Sequence, residues 1–309
     1  MSKRSLVIGS RGSKLALWQA EQARNQLIGV DPTLDVTIQI IKTSGDIKPD
    51  PLSVIGGKGV FTKELEDALL DQRIDLAVHS LKDLPTNLPE GLSIRAICER
   101  SDPRDALVLK DARDISSLLD LPLGAVVGTS SQRRLAQLKS LRPDLTVKDL
   151  RGNVDTRLRK LDEGEYDALL LATAGLMRLG LQSRISLAIS IEEMLPAVGQ
   201  GAIAIETRAA DDFTVDRVFQ LNHEATRIAC LAERALLRTL GGGCQFPIAA
   251  HAVVNNERLH LKALVATPDG SKILRESIDG SAQQPEELGS LLANRLNKLG
   301  AASILHDKS

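Results

Sequence analysis

Aromatic side chains are nearly missing, with 4 Phe, 1 Tyr and 1 Trp in 309 residues. The interior must then be aliphatic, and too few rings remain for a base-stacking platform, which excludes a single-strand nucleic-acid binder. A dominant charge is missing as well: Lys and Arg number 39 against 40 Asp and Glu, a formal net charge of -1. That balance argues against a uniformly basic nucleic-acid surface, so function must be sought in local charge. No apolar run nears the roughly 20 residues a membrane helix needs. At the start, Lys3 and Arg4 precede Leu6-Val7-Ile8, but Gly9, Ser10 and Arg11 interrupt at once. No secretory segment is expected, and a cytoplasm or organelle interior is. The 3 cysteines, Cys98, Cys230 and Cys244, show no pairing pattern, as in a reduced compartment. No His, Cys and carboxylate cluster has zinc spacing, so no metal site is expected.

What is present is length enough for two or three domains and a repeated strand-and-helix grammar. Residues 6–8 read as a short strand, and Ala16, Ala20, Ala23 and Leu27 follow at helical spacing until Gly29 and Pro32 break the pattern. Residues 36–41 read as a strand, Phe61, Leu65, Ala68 and Leu69 as an amphipathic helix, and 75–79 as a strand before the loop 80–85. This predicts a mostly parallel sheet. The plan restarts where Ala125-Val126-Val127-Gly128-Thr129-Ser130-Ser131 echoes Leu6-Val7-Ile8-Gly9-Ser10-Arg11-Gly12, and where 166–175, strand then loop, echoes 74–81. The punctuated stretches 98–105 and 195–201 read as connectors. Beyond Gln220 the pattern changes to a helix at 225–240, alternating segments at 249–254 and 259–266, and a final helix at 285–299. The expected architecture is α/β with two lobes, 1–98 joined by 201–218 and 104–195, plus a smaller α+β C-terminal domain at 223–309.

Arginine outnumbers lysine 24 to 15, and 11 of the arginines fall between Arg100 and Arg184. A guanidinium fork matches a carboxylate bidentately, whereas a lysine is a point charge. Arg11, Arg133, Arg134 and Arg151 all follow apolar strands near a helix start, the ligand-binding edge of an open α/β sheet. Arg157 lies off the stripe that Val154, Leu158 and Leu161 would bury. Neither 9–14 nor Gly56-Gly57-Lys58-Gly59 has P-loop order, and the second run reads as a loop or lid before a helix. Asp83 and Lys82 follow the end of a strand, where a general acid or base belongs, although a loop Asp is also a common turn former. His79 reads as a satisfied core histidine, and Cys98 and Cys230 as packing residues. Cys244, after Gly241-Gly242-Gly243, reads as a nucleophile or an attachment point.

Several ordered blocks together resemble the porphobilinogen deaminase (hydroxymethylbilane synthase) family. They are Arg11-Gly12-Ser13 with Leu15-Ala16-Leu17-Trp18-Gln19-Ala20, Gly56-Gly57-Lys58-Gly59 to Lys63-Glu64-Leu65-Glu66, and Val78-His79-Ser80-Leu81-Lys82-Asp83-Leu84-Pro85. Gly128-Thr129-Ser130-Ser131-Gln132-Arg133-Arg134, Leu150-Arg151-Gly152-Asn153-Val154 with Thr156-Arg157-Leu158, and Ala174-Gly175-Leu176 with Arg178 follow. The stretch 195–201, then Glu233-Arg234 with Gly242-Gly243-Cys244-Gln245 and Pro247, complete the set. Val54 and Phe246 depart from the family pattern, outside its core chemistry.

The resemblance implies two lobes like a type II periplasmic binding protein, a third domain carrying the cysteine, and an active site in the cleft between lobes. It implies a transferase that joins four porphobilinogen molecules head to tail, with loss of ammonia, onto a dipyrromethane tethered to Cys244 by a thioether, before hydrolysis frees the product. Each pyrrole unit carries an acetate and a propionate, which gives the arginine excess a purpose. The resemblance places Asp83 as the catalytic acid and base. It assigns cofactor binding to Ser13, Ser80, Lys82, Thr129, Ser130, Ser131, Arg133, Arg134 and Arg151 beside Cys244. Substrate binding goes to Arg11, Phe61, Arg157, Arg178 and Gln200. A cytoplasmic monomer without nucleic-acid or membrane partners is expected. Two rival classes are a non-catalytic two-lobed anion-binding protein and a cysteine acyl transferase, the latter needing His251 near Cys244.

Overall fold

The computed structural model describes residues 5–47, 59–111, 114–243 and 245–306. They divide into two units, Met1–Arg100 with Ala202–Arg227 and Ser101–Gly201 with Ile228–Ser309. Cys244, Val54 and Gly56-Gly57-Lys58 lie outside the described residues.

In the first unit β1 (Ser5–Ser10) pairs in parallel with β2 (Asp35–Ile40) and β3 (Leu76–Ser80). The helix Lys14–Val30 crosses between β1 and β2 and buries Ala16, Ala20, Ala23 and Leu27. These mostly small side chains let the helix lie close to the sheet. Late in the chain, β10 (Ile203–Arg208) inserts antiparallel between β3 and β4 (Leu92–Ile97). The sheet order is β2-β1-β3-β10-β4. The predicted mostly parallel sheet is therefore mixed: a strand returning from a remote part of the chain runs opposite to its neighbours, which local periodicity cannot reveal. Leu6, Ile8, Leu76, Val78 and Ile205 fill one face, and Leu65, Leu69, Ile74 and Ala77 the other, under the helix Lys63–Leu70. His79 is buried and within hydrogen-bonding distance of Glu206, and Cys98 and Cys230 are buried, as expected.

The second unit repeats the plan. Its strands are β5 (Asp105–Leu109), β6 (Val126–Gly128), β7 (Thr146–Lys148), β8 (Ala168–Ala172) and β9 (Leu187–Ala188), in the order β7-β6-β8-β5-β9. The β6–β7 and β6–β8 pairs are parallel, and β5 is antiparallel to β8 and β9. Position by position, β6 takes the place of β1, β8 that of β3, and β5 that of β10. The two sequence echoes thus mark equivalent strands. The loop expected after β8 is a short helix, Thr173–Arg178. Asp105, expected in a connector, is the first residue of β5 and fully buried.

The chain then builds an antiparallel sheet of β11 (Ile248–Asn255), β12 (Arg258–Ala266) and β13 (Ile273–Ser281). Helices Glu224–Thr239, Pro285–Lys298 and Ala301–His306 accompany it. Their core includes Leu236, Leu261, Val265 and Leu292, while Leu264 and Ala266 pack with Ala136 and Leu195. The fold is thus α/β with two sheets of one plan and a smaller α+β part. Among the described residues no helix is long and apolar enough to cross a membrane.

Gly128 ends β6 where a Cβ would stand 2.6 Å from Leu169 Cδ2 and 2.8 Å from Tyr166 Cδ1. Gly128→Ala should therefore destabilise by about 1–3 kcal/mol through overpacking, read as a lower urea midpoint. An unchanged midpoint would show that the strand end accommodates the methyl.

Candidate active site

Parallel neighbours end at the same sheet edge, so β1 and β3 bring residues 11–13 and 80–83 to one edge of the first unit. Ser13 caps the helix Lys14–Val30, its Oγ accepting from the Ala16 N–H at 3.3 Å. Arg11 lies with its guanidinium carbon 4.3 Å from the Phe61 ring centroid, a cation–π contact that orients the fork. Past β3, Leu81–Asp83 forms a 3-10 turn whose Leu81 N–H donates to the Ala202 carbonyl at 3.0 Å. Gln19, buried in the small-residue stripe, donates to Ser80 Oγ at 2.8 Å. Lys82 is half-buried and Asp83 exposed. The turn is fixed by its backbone and by Ser80, which leaves the Asp83 carboxylate facing solvent.

The corresponding edge of the second unit follows β6. Ser131 caps the helix Gln132–Leu141, and the Thr129 Oγ1 accepts from the Ser131 N–H at 3.2 Å. Both hydroxyls act there as acceptors, so each keeps a hydrogen to donate. Ser130 is spent differently: its Oγ donates to the Leu150 carbonyl at 2.6 Å and accepts from the Leu150 N–H at 3.0 Å. It splices the end of β6 to the segment bearing Arg151. Half-buried Arg151 pairs with Asp149 at 3.1 Å. Partial burial alone would raise the Asp149 carboxyl, but Ser130 and Arg151 hold it below its ordinary value. Arg157 donates Nε–H to the Gly152 carbonyl at 2.7 Å. Gly152 has φ 106°, backbone that favours glycine.

Arg133 and Arg134 turn inward. Both are buried, and Asp105, with 0% exposure, lies between them. Arg133 holds it bidentately, Nη1 to Oδ2 at 2.6 Å and Nη2 to Oδ1 at 3.1 Å, and gives a further bond to the Leu195 carbonyl at 2.8 Å. Arg134 gives Nε and Nη2 to Oδ1 at 3.0 and 2.7 Å, and Nη1 to the Leu170 carbonyl at 2.8 Å. Gln200 adds its Nε2 at 2.9 Å and also donates to the Pro103 carbonyl at 2.7 Å. Burial alone would raise the Asp105 carboxyl; Arg133 and Arg134 outweigh it and hold it far below the ordinary carboxylate range. The Arg133 Nε–H is sealed from solvent and has no hydrogen-bond partner among the described residues. Arg178, likewise buried, donates to Ser101 Oγ at 3.1 Å and to the Gly201 carbonyl at 2.7 Å.

The arginines chosen from the sequence thus fall into two kinds. Arg11, Arg151 and Arg157 are half-buried at the strand edges, whereas Arg133, Arg134 and Arg178 brace the backbone behind them. Sequence reasoning missed Asp105 and Gln19. Each carried a signal: a charge opening the apolar run Ala106-Leu107-Val108-Leu109, and an amide inside a small-residue helical stripe. A polar group at a buried position needs a partner.

The family model described as "Porphobilinogen deaminase, dipyromethane cofactor binding domain" matches residues 6–216, and "Porphobilinogen deaminase, C-terminal domain" matches 227–298. Porphobilinogen deaminases of Chlorobium phaeovibrioides (strain DSM 265 / 1930) and Chlorobium luteolum (strain DSM 273 / BCRC 81028 / 2530) are each 51% identical, covering 99% of this chain and 98% of the relative. Among solved structures, the periplasmic aliphatic sulphonate binding protein SsuA from Escherichia coli aligns at TM-score 0.42 and 17% identity, over 77% of this chain and 71% of that one.

Asp105→Asn leaves two buried guanidiniums without their anion, and a broken buried pair costs about 3–5 kcal/mol. Because the Asp105 carboxyl is depressed in the folded state, its contribution is complete above the unfolded value of about 4 and is lost only as pH falls toward the lower folded one. Urea unfolding should show the full deficit at pH 7 and a smaller one in strong acid. An equal deficit at every pH would contradict the charge pairing.

Proposed function

We propose, on the premise that the chain belongs to the porphobilinogen deaminase family, that its two sheet edges divide the tasks of that reaction. The enzyme condenses porphobilinogen head to tail with loss of ammonia on a covalent dipyrromethane and releases the linear product by hydrolysis. The observation that carries the assignment of residues is the contrast at these edges: hydroxyl and guanidinium donors gather there, and exposed Asp83 stands at the end of the β3 turn.

The donor set fits a group bearing several carboxylates. In the second unit, the orphaned buried Arg133 Nε–H and the hydroxyls of Ser131 and Thr129 are donors awaiting acceptors. Arg134 and Arg151 supply positive charge beside them, and Ser130 keeps the two segments in register. In the first unit Ser13, Ser80 and Lys82 would hold carboxylates of that kind. Dipyrromethane, when bound, supplies the pyrrole carbon at which the chain grows. Cys244 would carry it; on either side of that residue, the Phe246 N–H donates to the Gly243 carbonyl at 3.0 Å.

Incoming porphobilinogen presents an acetate and a propionate. In each unit a half-buried fork suits such a carboxylate, Arg11, oriented by Phe61, in the first and Arg157 in the second, each charge-assisted bond contributing roughly 1.5–3 kcal/mol. Arg178 and Gln200, buried against 101, 103, 105 and 201, act through those partners by keeping the backbone in place. Asp83 stabilises the positive charge that develops on the pyrrole as ammonia leaves, and then takes the proton displaced from the attacked carbon.

A cytoplasmic monomer without nucleic-acid partners completes the proposal. Three cysteines without a pairing pattern support the first, exposed apolar side chains scattered over separate elements, such as Ile40, Leu123 and Phe219, support the second, and the scarcity of rings supports the third.

Asp83→Asn keeps the shape but holds no positive charge and accepts no proton. Porphobilinogen consumption should fall about 10²–10⁴-fold with circular dichroism unchanged, and Asp83→Glu with full turnover and an unaltered pH profile would contradict the role. Cys244→Ser should fold yet give no colour with acidified Ehrlich reagent; parent-like colour or activity would refute the attachment.

A further inference from the structure

A second polar knot lies in the first unit, and the mechanism above does not use it. Glu66 on the helix Lys63–Leu70, His79 on β3 and Glu206 on β10 are 6%, 5% and 0% exposed. The His79 Nε2 is 3.1 Å from Glu206 Oε2. Glu206 lies opposite Ala77 and Ala204 opposite His79, so the two side chains share a sheet face as diagonal neighbours, under the helix that bears Glu66. Oxygen Oε1 of Glu66 and Oε1 of Glu206 are both sealed from solvent without a hydrogen-bond partner among the described residues. Among the described residues neither carboxylate pairs with a lysine or arginine.

The charge arithmetic decides the state of this trio. With both glutamates ionised it would carry a net negative charge in a dry place even if His79 were protonated, and such a charge is far costlier than a bound proton. A proton on Glu66 lowers that charge. We propose that Glu66 holds a proton at neutral pH and that Glu66, His79 and Glu206 act together as positioning residues for the Ser80–Asp83 segment. The placement explains the reach: His79 immediately precedes Ser80, and Glu66 sits in the first turn of the helix that follows Phe61. A trio acting together would tie the Phe61 segment to the strand that presents Asp83.

Burial pushes the Glu66 carboxyl up; Glu206 and Asp67 push the same way, and Thr62 and His79 pull back. On the remaining neighbouring strand, Arg95 of β4 donates Nη2 to the Ala209 carbonyl at 3.1 Å, and its Nε is sealed from solvent without a hydrogen-bond partner among the described residues. A raised folded-state value means that the stabilising contribution is complete at low pH and is lost as pH rises through it. The turn should loosen on the alkaline side.

The proposal rests on Asp83 as the working group, and its test separates the two. In heavy water at neutral pH, the infrared difference between parent and Glu66→Gln should contain a protonated-carboxyl C=O band. Glu206→Gln, which relieves the repulsion on Glu66, should shrink that band. For turnover, Glu66→Gln should begin its alkaline decline of kcat higher than the parent by roughly one pH unit, with KM unchanged. Absence of the infrared band overturns the proton on Glu66, and coincident pH profiles overturn the positioning role. Either result can be obtained whether or not Asp83→Asn abolishes activity.

Discussion

The buried carboxylate of Asp105 is the interaction on which the second unit's working edge depends. Two guanidiniums and one amide converge on it, and through them it reaches the Leu195 and Leu170 carbonyls and the 195–201 stretch. A lone buried anion would be costly, as would either arginine alone; together they compensate one another and freeze three segments that share no local sequence. Rigid donors serve catalysis because they need no reorganisation when ligand carboxylates arrive.

Among the described residues, the first unit braces its edge without a buried arginine. There Gln19 steadies Ser80, the Ala202 carbonyl steadies Leu81, and the Glu66, His79 and Glu206 knot lies beneath. The equivalence is structural, because β10 and β5 hold matching places in the two sheets. In each, the antiparallel strand begins at the edge where its parallel neighbours end. One architecture therefore supports two chemistries: a charge-dense donor face in the second unit, and in the first a turn that leaves an acid exposed.

Much of this was legible in the sequence, and the reasons differ by element. The helix Lys14–Val30, the strands β1, β3, β6, β11 and β12, and the equivalence of β1 with β6 follow from local periodicity, which needs only neighbours along the chain. The antiparallel placement of β10 and β5 was not legible, because it depends on a chain return from over a hundred residues away for β10 and on the reversed order of β5 in its sheet. The same limit explains the arginines. Sequence position brings Arg133 and Arg134 to a ligand edge, but whether a fork faces a ligand or an internal carboxylate depends on Asp105, which lies 28 and 29 residues away. A carboxylate at the head of an apolar strand is the signal that settles such cases.

Intact mass of the native protein, for parent and Asp105→Asn side by side, bears most directly on the dependence of the donor face on that buried anion. The parent should be heavier than its translation product by one dipyrromethane, and folded Asp105→Asn should contain a substantial fraction at the bare polypeptide mass. A folded Asp105→Asn loaded as fully as the parent would contradict it.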